Sequence, residues 1–216
     1  MTVVRARDTM RGMRLRYGWV LLLSGCLAGA MNATASEESM TTTHATFAGG
    51  CFWCMQPPFD TLPGVVQTTV GYTGGTKADP TYEEVCSGTT GHTEAIDVVY
   101  DPAKVSYAQV LDVFWHNIDP TQPDGQFADH GRQYRTVIYY HNDDQRRQAE
   151  ASKQQLAASG TFSRPIVTEI APASTFYPAE DYHQQYYKKN AIHYKLYRIG
   201  SGRDGFLRRT WGSAAH

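Results

Sequence analysis

Two cysteines stand three residues apart behind a pair of glycines, in the segment Gly49-Gly50-Cys51-Phe52-Trp53-Cys54. Two glycines let the backbone turn sharply, so Cys51 is expected between a short strand and the start of a helix. The unpaired N–H groups and the positive end of the helix dipole at such a position favour a thiolate. Cys51 is therefore a candidate nucleophile with a lowered pKa; the alternative is a cysteine buried as a small apolar side chain.

Paired cysteines also indicate metal sites. A zinc site needs a second pair of ligands, and downstream of Cys51 and Cys54 only Cys86 and scattered histidines are available. Four cysteines in 216 residues are too few for a disulfide scaffold. The spacing therefore favours redox or nucleophilic chemistry over a metal.

A carboxyl group is the second candidate for chemistry. Period-two alternation between Gly91 and Tyr100 places Glu94 on the face that carries Ile96 and Val98. A carboxyl group on an apolar face is desolvated, and the raised pKa lets it hold a proton near neutral pH, as a general acid must. The alternative is that Glu94 lies at the strand end, where it faces solvent or pairs with an arginine.

A third stretch is a polar, glycine-punctuated loop at 125–135 that leads into a strand. Loops of this kind place functional groups at the edge of a sheet. Taken alone, Asp129 and His130 are equally compatible with turn residues. Tyr82 and Tyr134 begin predicted elements and are equally compatible with surface aromatics.

Strands and helices alternate along the chain without the regular repeat of a doubly wound sheet. Pro57-Pro58 conflicts with a long helix after Cys51, so that helix is expected to stop or kink after Gln56. This order predicts an α+β two-layer sandwich. Strands are predicted at 44–48, 65–72, 92–100, 134–140 and 166–170, and further helices at 82–86, 106–117, 143–159 and 180–189.

Residues 1–35 are predicted to be an export signal. Five arginines precede the apolar run at 17–23, which is shorter than the roughly 20 residues that cross a bilayer. Cleavage is expected either before Cys26, which would then be lipidated, or after Ala35. The mature protein would be exported, and either periplasmic or tethered to a membrane by that lipid. Residues 36–43 are polar and are predicted to form a tether.

The length and net charge of the chain bear on its domain organisation and its partners. A chain of 216 residues fits one compact domain. Its 20 basic and 21 acidic residues give a formal charge of −1, so the charge does not support a nucleic-acid partner.

Several segments, in this order along the chain, resemble the peptide methionine sulfoxide reductase A family. The resemblance runs from about Thr46 to Asn190 and implies a catalytic domain at 44–190 with a ferredoxin-like core. The segments that carry it lie at 50–53, 71–75, 80–88, 91–95, 114–115, 129–135 and 176–184.

The resemblance also implies roles for the candidate residues. Cys51 would attack the sulfur of methionine S-sulfoxide, in proteins or as the free amino acid, while Glu94 protonates the departing oxygen. No metal or organic cofactor would take part, and the sulfenic acid left on Cys51 must be reduced before the next turnover. The substrate would be held by an apolar cup for the S-methyl group, Phe52 and Trp53, and by hydrogen bonds around the oxygen, from Tyr82, Asp129 and Tyr134.

The sequence departs from much of the family at its C-terminus. Many members resolve the sulfenic acid with cysteines there, but residues 191–216 contain none and are predicted to be a polar tail. The tail is similar to that of members with a cysteine at the position of Cys54, so the resemblance implies a Cys51–Cys54 disulfide that a thioredoxin-like reductant opens. Cys86, beside Val85, is expected to be a buried structural thiol.

Two other functions stay open at this stage. A general thiol–disulfide oxidoreductase would use the Cys51–Cys54 pair without needing Glu94. A lipid-tethered module that binds a peptide in an aromatic pocket would keep its ligand binding when Cys51 is lost.

Overall fold

A computed structural model of the protein describes residues 41–212. The strands are β1 (Thr43–Gly49), β2 (Val65–Thr73), β3 (Thr93–Tyr100), β4 (Gly125–Gln126), β5 (Asp129–His130), β6 (Thr136–Tyr140), β7 (Glu169–Pro172) and β8 (Tyr177–Pro178). The helices are α1 (Phe52–Asp60), α2 (Tyr82–Cys86), α3 (Tyr107–Trp115), α4 (Asp143–Ala158), α5 (Tyr186–Lys189), α6 (Ala191–Gly200) and α7 (Arg203–Trp211). None of these helices is long and apolar enough to cross a membrane.

Six strands form one mixed sheet in the order β7-β6-β1-β3-β2-β8, and β4 and β5 form a separate hairpin. β3 lies between β1 and β2 and runs antiparallel to both. Its register pairs Phe47 with Ile96 and Tyr72 with Glu94. The beginning of β3 is therefore adjacent to the end of β1, where the chain turns towards Cys51.

The main core lies between one face of the sheet and the helices α1, α3 and α4. Phe47 of β1 is fully buried there, with its ring stacked at 5.5 Å on Phe59 and at 5.0 Å on Phe114. A smaller cluster, including Ala95 and Val137, occupies the other face of the sheet and packs against the chain near β7 and β8. The fold is α+β, as predicted.

The expectation that α1 stops after Gln56 is wrong, because the helix includes both Pro57 and Pro58. Proline has no N–H group, so Pro58 leaves the Cys54 carbonyl without its helical donor. Arg198 of α6 takes that place, donating from Nη1 to the Cys54 oxygen at 3.1 Å. The helix therefore persists through the prolines with help from a distant part of the chain.

The C-terminal region differs most from the sequence-based expectation. Of the helix predicted at 180–189, only Tyr186–Lys189 is α-helical, and Gln185 has a left-handed backbone with φ of 52°. The stretch expected to be a polar tail forms α6 and α7. In α6, Ile192, Leu196 and Ile199 recur at helical spacing but are exposed, whereas Leu207 and Arg203 of α7 are both buried.

Gly50→Ala is expected to destabilise the protein more than Gly160→Ala does. Both glycines have a left-handed backbone, with φ of 81° and 75°, so alanine brings a similar backbone strain of about 1–2 kcal/mol to each. A Cβ at Gly50 would lie 2.5 Å from Gln126 Cβ, whereas a Cβ at Gly160 meets nothing within 4 Å. Overpacking adds about 1–3 kcal/mol at Gly50. Urea unfolding measures both variants, and equal losses would show that close packing at Gly50 is unimportant.

Candidate active site

The two cysteines lie at the start of α1. Gly50 turns the chain at the end of β1, Cys51 is the N-cap residue of α1, and Cys54 lies in the first helical turn. Both side chains are buried, at 6% and 0% exposure. Both thiols are free, and each influences the ionisation of the other. The predicted strand–turn–helix placement of Cys51 is therefore confirmed.

The ionisation of the pair differs from the expectation. Burial, followed by the hydrogen bond and charge of Cys54, raises the pKa of Cys51 well above its ordinary value. The N–H of Phe52, which a helix start would offer to a thiolate, instead donates to Glu94. The hydrogen bond from Cys51 lowers the pKa of Cys54 to about 7, and the charges of Arg203 and Arg198 act in the same direction. The negative charge of the pair therefore forms first at Cys54.

Glu94 faces the core from β3, as the alternation predicted, with 2% of its surface exposed. Its Oε2 accepts the Phe52 N–H at 3.0 Å. Burial raises the pKa of Glu94 to about 8, despite that hydrogen bond, and the charges of Asp129 and Cys54 add to the increase. A neutral carboxyl group, able to donate a proton at pH 7, therefore lies next to the cysteine pair.

Aromatic side chains enclose the start of α1. Phe52 is buried and its ring centre lies 5.0 Å from that of His183. Trp53 is half-buried, stacks on Tyr186 at 3.8 Å and donates from Nε1 to His183 Nδ1 at 2.9 Å. These contacts fix the orientations of Phe52 and Trp53, so the pair forms a rigid apolar surface.

Tyr82, Tyr134 and Cys86 come together beside Glu94. Burial raises the pKa of both tyrosines, and the charge of Glu94 contributes to each. Burial raises the pKa of the neighbouring Cys86 thiol, and the two tyrosine hydroxyl groups act in the opposite direction. Cys86 itself is only half-buried, so the expectation of a buried structural thiol is wrong: Val85, its neighbour in α2, takes the core position.

Asp129 joins the site through α6. It accepts a hydrogen bond from the Tyr197 hydroxyl, and the same hydroxyl group acts to lower the pKa of Cys51. Burial raises the pKa of Asp129, and the Tyr197 hydrogen bond opposes that rise. Tyr197 therefore connects a loop carboxyl group to the candidate nucleophile.

Several residues of this site were not identified from the sequence. Glu180 accepts from the Tyr72 hydroxyl at 2.7 Å and from the Tyr82 N–H at 3.0 Å, and His183 contacts Phe52 and Trp53. Both lie in the resembling segment at 176–184, which was a usable signal. The sequence of residues 191–216 offered no such signal for the other three site residues, Tyr197, Arg198 and Arg203.

The chemistry of the site is that of thiols and a proton donor. Across residues 41–212, no three His, Cys, Asp or Glu side chains are grouped in a way that could hold a metal ion. Two buried thiols, one neutral acid and three tyrosine hydroxyl groups suit nucleophilic attack coupled to proton transfer.

Comparisons with known proteins agree with this chemistry. The profile of the family described as peptide methionine sulfoxide reductase matches residues 43–215. Relatives named peptide methionine sulfoxide reductase MsrA, from Bacillus pumilus and Listeria innocua, are each 58% identical over 167 residues, covering 77% of this chain and 94% of the relative.

Solved structures of the same kind are similar in fold. Methionine sulfoxide reductase A of Corynebacterium diphtheriae matches with a TM-score of 0.62 and 39% identity, over 70% of this chain and 76% of that one. Mxr1 from Saccharomyces cerevisiae, in reduced form, matches with a TM-score of 0.65 and 30% identity, over 71% and 88% of the two chains.

Glu94→Gln is expected to change how stability depends on pH. The pKa of Glu94 rises from 4.5 to about 8 on folding, so between these values the folded protein keeps a proton that the unfolded chain loses. The stabilisation is complete below the unfolded pKa and is lost as pH rises through 8, with a slope of about 1.4 kcal/mol per pH unit. Urea unfolding between pH 5 and 8 should show this slope in wild type and its loss in the variant. The exposed control Glu83→Gln should keep it; equal slopes in wild type and Glu94→Gln would contradict the raised pKa.

Proposed function

The chain belongs to the peptide methionine sulfoxide reductase family, and we propose that Cys51 is the nucleophile of its reaction and Glu94 the proton donor. It reduces methionine sulfoxide to methionine, an activity that separates it from a general thiol–disulfide oxidoreductase and from a peptide-binding module. The proposal is carried by one observation: a buried carboxyl with a pKa of about 8 is held by the first amide of the helix that begins after Cys51.

The oxygen-transfer step starts with the Cys51 thiolate. Each thiol of the pair influences the ionisation of the other, so the proton of Cys51 passes to the Cys54 sulfur and the charge moves to Cys51 without leaving the site. Cys51 then attacks the sulfoxide sulfur while Glu94 protonates the oxygen, so an S–S bond forms and the S–O bond breaks. The released hydroxide adds to the Cys51 sulfur, the S–S bond breaks, and methionine departs while Cys51 is left as a sulfenic acid, oxidised by the two electrons that reduce the sulfoxide.

The substrate is proposed to be the S-epimer of methionine sulfoxide, free or in a protein. The rigid surface of Phe52 and Trp53 supports their role as a cup for the S-methyl group. Hydrogen bonds around the oxygen are proposed to come from the hydroxyl groups and carboxyl that surround Glu94, those of Tyr82, Tyr134 and Asp129.

Cys54 is proposed to resolve the sulfenic acid. The Cys54 thiol gives up its proton and its sulfur attacks the Cys51 sulfur, so the S–O bond breaks, the departing hydroxide takes that proton and leaves as water, and a Cys51–Cys54 disulfide forms. A pKa of about 7 makes the Cys54 thiolate abundant at neutral pH, and the Cys54 N–H donates to the Cys51 carbonyl at 3.0 Å, which keeps the two residues adjacent. A thioredoxin-like dithiol then supplies two electrons and restores both thiols.

The core of the fold is proposed to be ferredoxin-like. The order of the four central strands, β6-β1-β3-β2, supports this arrangement. The connections through α1, between β1 and β2, and α3, between β3 and β6, place two helices on one face, as a two-layer sandwich requires.

Export is proposed on the sequence of residues 1–35, which lie outside the described residues. The two processing routes differ in the mature N-terminus, which mass spectrometry of the exported protein reads. Acylated Cys26 supports a membrane-tethered lipoprotein, and unmodified Ser36 supports a periplasmic protein. A mature protein that keeps Met1 would contradict both.

Glu94→Gln is expected to slow sulfoxide reduction by about 100- to 10,000-fold, the usual contribution of general acid catalysis. The amide keeps the shape and still accepts the Phe52 N–H, but it cannot supply the proton. Methionine release from the S- and R-epimers with dithiothreitol measures the effect. The control Glu83→Gln, an exposed residue of α2, should be unaffected. Near wild-type reduction by Glu94→Gln between pH 6 and 8 would remove the acid from the mechanism, and equal use of both epimers would remove the S-preference.

Cys54→Ser is expected to release one methionine per enzyme and then stall with thioredoxin, which attacks disulfides. Small thiols that reach the sulfenic acid directly should restore turnover. Cys86→Ser is the control, because a hydroxyl can replace the thiol as partner of Tyr82 and Tyr134. A Cys51–Cys86 bridge in peptide maps of oxidised protein, or full thioredoxin-dependent turnover in Cys54→Ser, would reassign the resolving role.

A further inference from the structure

Arg203, the first residue of α7, is a buried cation with 1% of its surface exposed. Its guanidinium donates from Nη1 to the Asn117 carbonyl at 2.6 Å and from Nη2 to the Gly49 carbonyl at 3.0 Å. It also lies over the Phe127 ring, 4.6 Å from the centroid. Within residues 41–212 no carboxylate forms an ion pair with it, since the adjacent Asp204 pairs with Arg198 instead.

The positive charge of Arg203 is only partly balanced by the groups around it. Removing a charge from water costs several kcal/mol, which is normally offset by an opposite charge at close range. Two carbonyl oxygens and a ring face provide partial negative charge only. In a medium of low dielectric, such a cation strongly favours a negative charge nearby.

The guanidinium lies directly beneath the turn that carries the cysteines. Nη2 contacts the last residue of β1, Gly49, and is 2.9 Å from where a Cβ of Gly50 would stand. Nη1 lies 3.6 Å from the sulfur of Met55, the residue after Cys54. The cation is therefore next to the helix start on both sides of the pair.

The other charged and titratable groups around the pair come from four elements. Arg198, Tyr194 and Tyr197 face it from α6, Tyr82 from α2, Glu94 from β3 and Asp129 from β5. Asp129 opposes a thiolate there, whereas Arg203 and Arg198 favour one, Arg203 more strongly. Arg198 already has Asp204 as its partner, so its charge is largely balanced.

We propose that Arg203 is the permanent counter-charge of the thiolate held by the Cys51–Cys54 pair, a positioning residue that acts on the resolving step from α7. Because arginine stays protonated in proteins, this charge is constant over the working pH range. The proposed effect of Arg203 on the ionisation of the Cys51–Cys54 pair is argued from the contacts of its guanidinium. Its consequence for turnover rests on the proposed role of Cys54.

Thiolate absorbance in the ultraviolet tests the proposal without substrate. In reduced protein carrying Cys26→Ser and Cys86→Ser, the pair is the only source of thiolate. Arg203→Gln should move the first ionisation of the pair upward by about one pH unit or more, as loss of a nearby opposite charge does. Arg203→Lys keeps the charge and should leave the midpoint near that of wild type. Arg208→Gln, the same change at an exposed position of α7, should leave it unchanged.

A purely structural role gives a different pattern. Arg203→Gln would then lower the melting temperature while the ionisation midpoint stays at the wild-type value, and the proposal would be overturned. If Arg203→Gln does not fold, Arg203→Lys tests the proposal instead. An ionisation midpoint of the cysteine pair that rises in Arg203→Lys as stability falls would show that the positive charge does not determine the midpoint.

Turnover separates this proposal from the assignment of Cys54. With thioredoxin, Arg203→Gln should be slow at pH 7 and approach wild type as pH rises and Cys54 ionises. A shifted midpoint with unchanged thioredoxin-dependent turnover would support the counter-charge and overturn the resolving role of Cys54.

Discussion

The Phe52 N–H donates to Glu94 Oε2 at 3.0 Å, and this hydrogen bond ties the first turn of α1 to β3. It uses the amide that a helix start would otherwise offer to a thiolate at Cys51. Burial still keeps the pKa of Glu94 at about 8, so the bond holds a neutral acid in place. One carboxyl oxygen accepts the amide, and the hydroxyl is left to donate. A single contact thus orients the acid and leaves Cys51 without help from the helix amide.

Side chains from the C-terminal helix α6 help to hold the start of α1 in place. Pro58 frees the carbonyl of Cys54, and Arg198 of α6 binds it. One residue earlier, Tyr197 links Asp129 to Cys51. The helix start is therefore held by side chains from α6 as well as by its own backbone, which explains how two prolines are accommodated within nine residues of helix.

The parts of the site that the sequence predicted depend on local signals. The glycine pair predicted a turn before Cys51, and period-two alternation predicted that Glu94 faces the core; both are confirmed. The pKa of Cys51 was predicted in the wrong direction, because burial and the neighbouring Cys54 raise it. The Phe52 amide that was expected to favour a thiolate is bound by Glu94, and these two residues are 42 positions apart. Arg198 reaches Cys54 from 144 positions away, and no periodicity within α6 reveals such a contact.

The disulfide proposed between Cys51 and Cys54 also changes what the C-terminus has to do. A disulfide needs Cβ atoms about 3.5–4.5 Å apart, and Cys51 is the N-cap residue of α1 and Cys54 lies in its first turn, so the proposed bond involves only the start of α1. A C-terminal segment without cysteines has no need to travel to Cys51. It can instead be anchored by buried side chains, Arg203 and Leu207, and by the Tyr197 hydroxyl. The burial of Glu94, with 2% of its surface exposed, is what keeps the acid protonated.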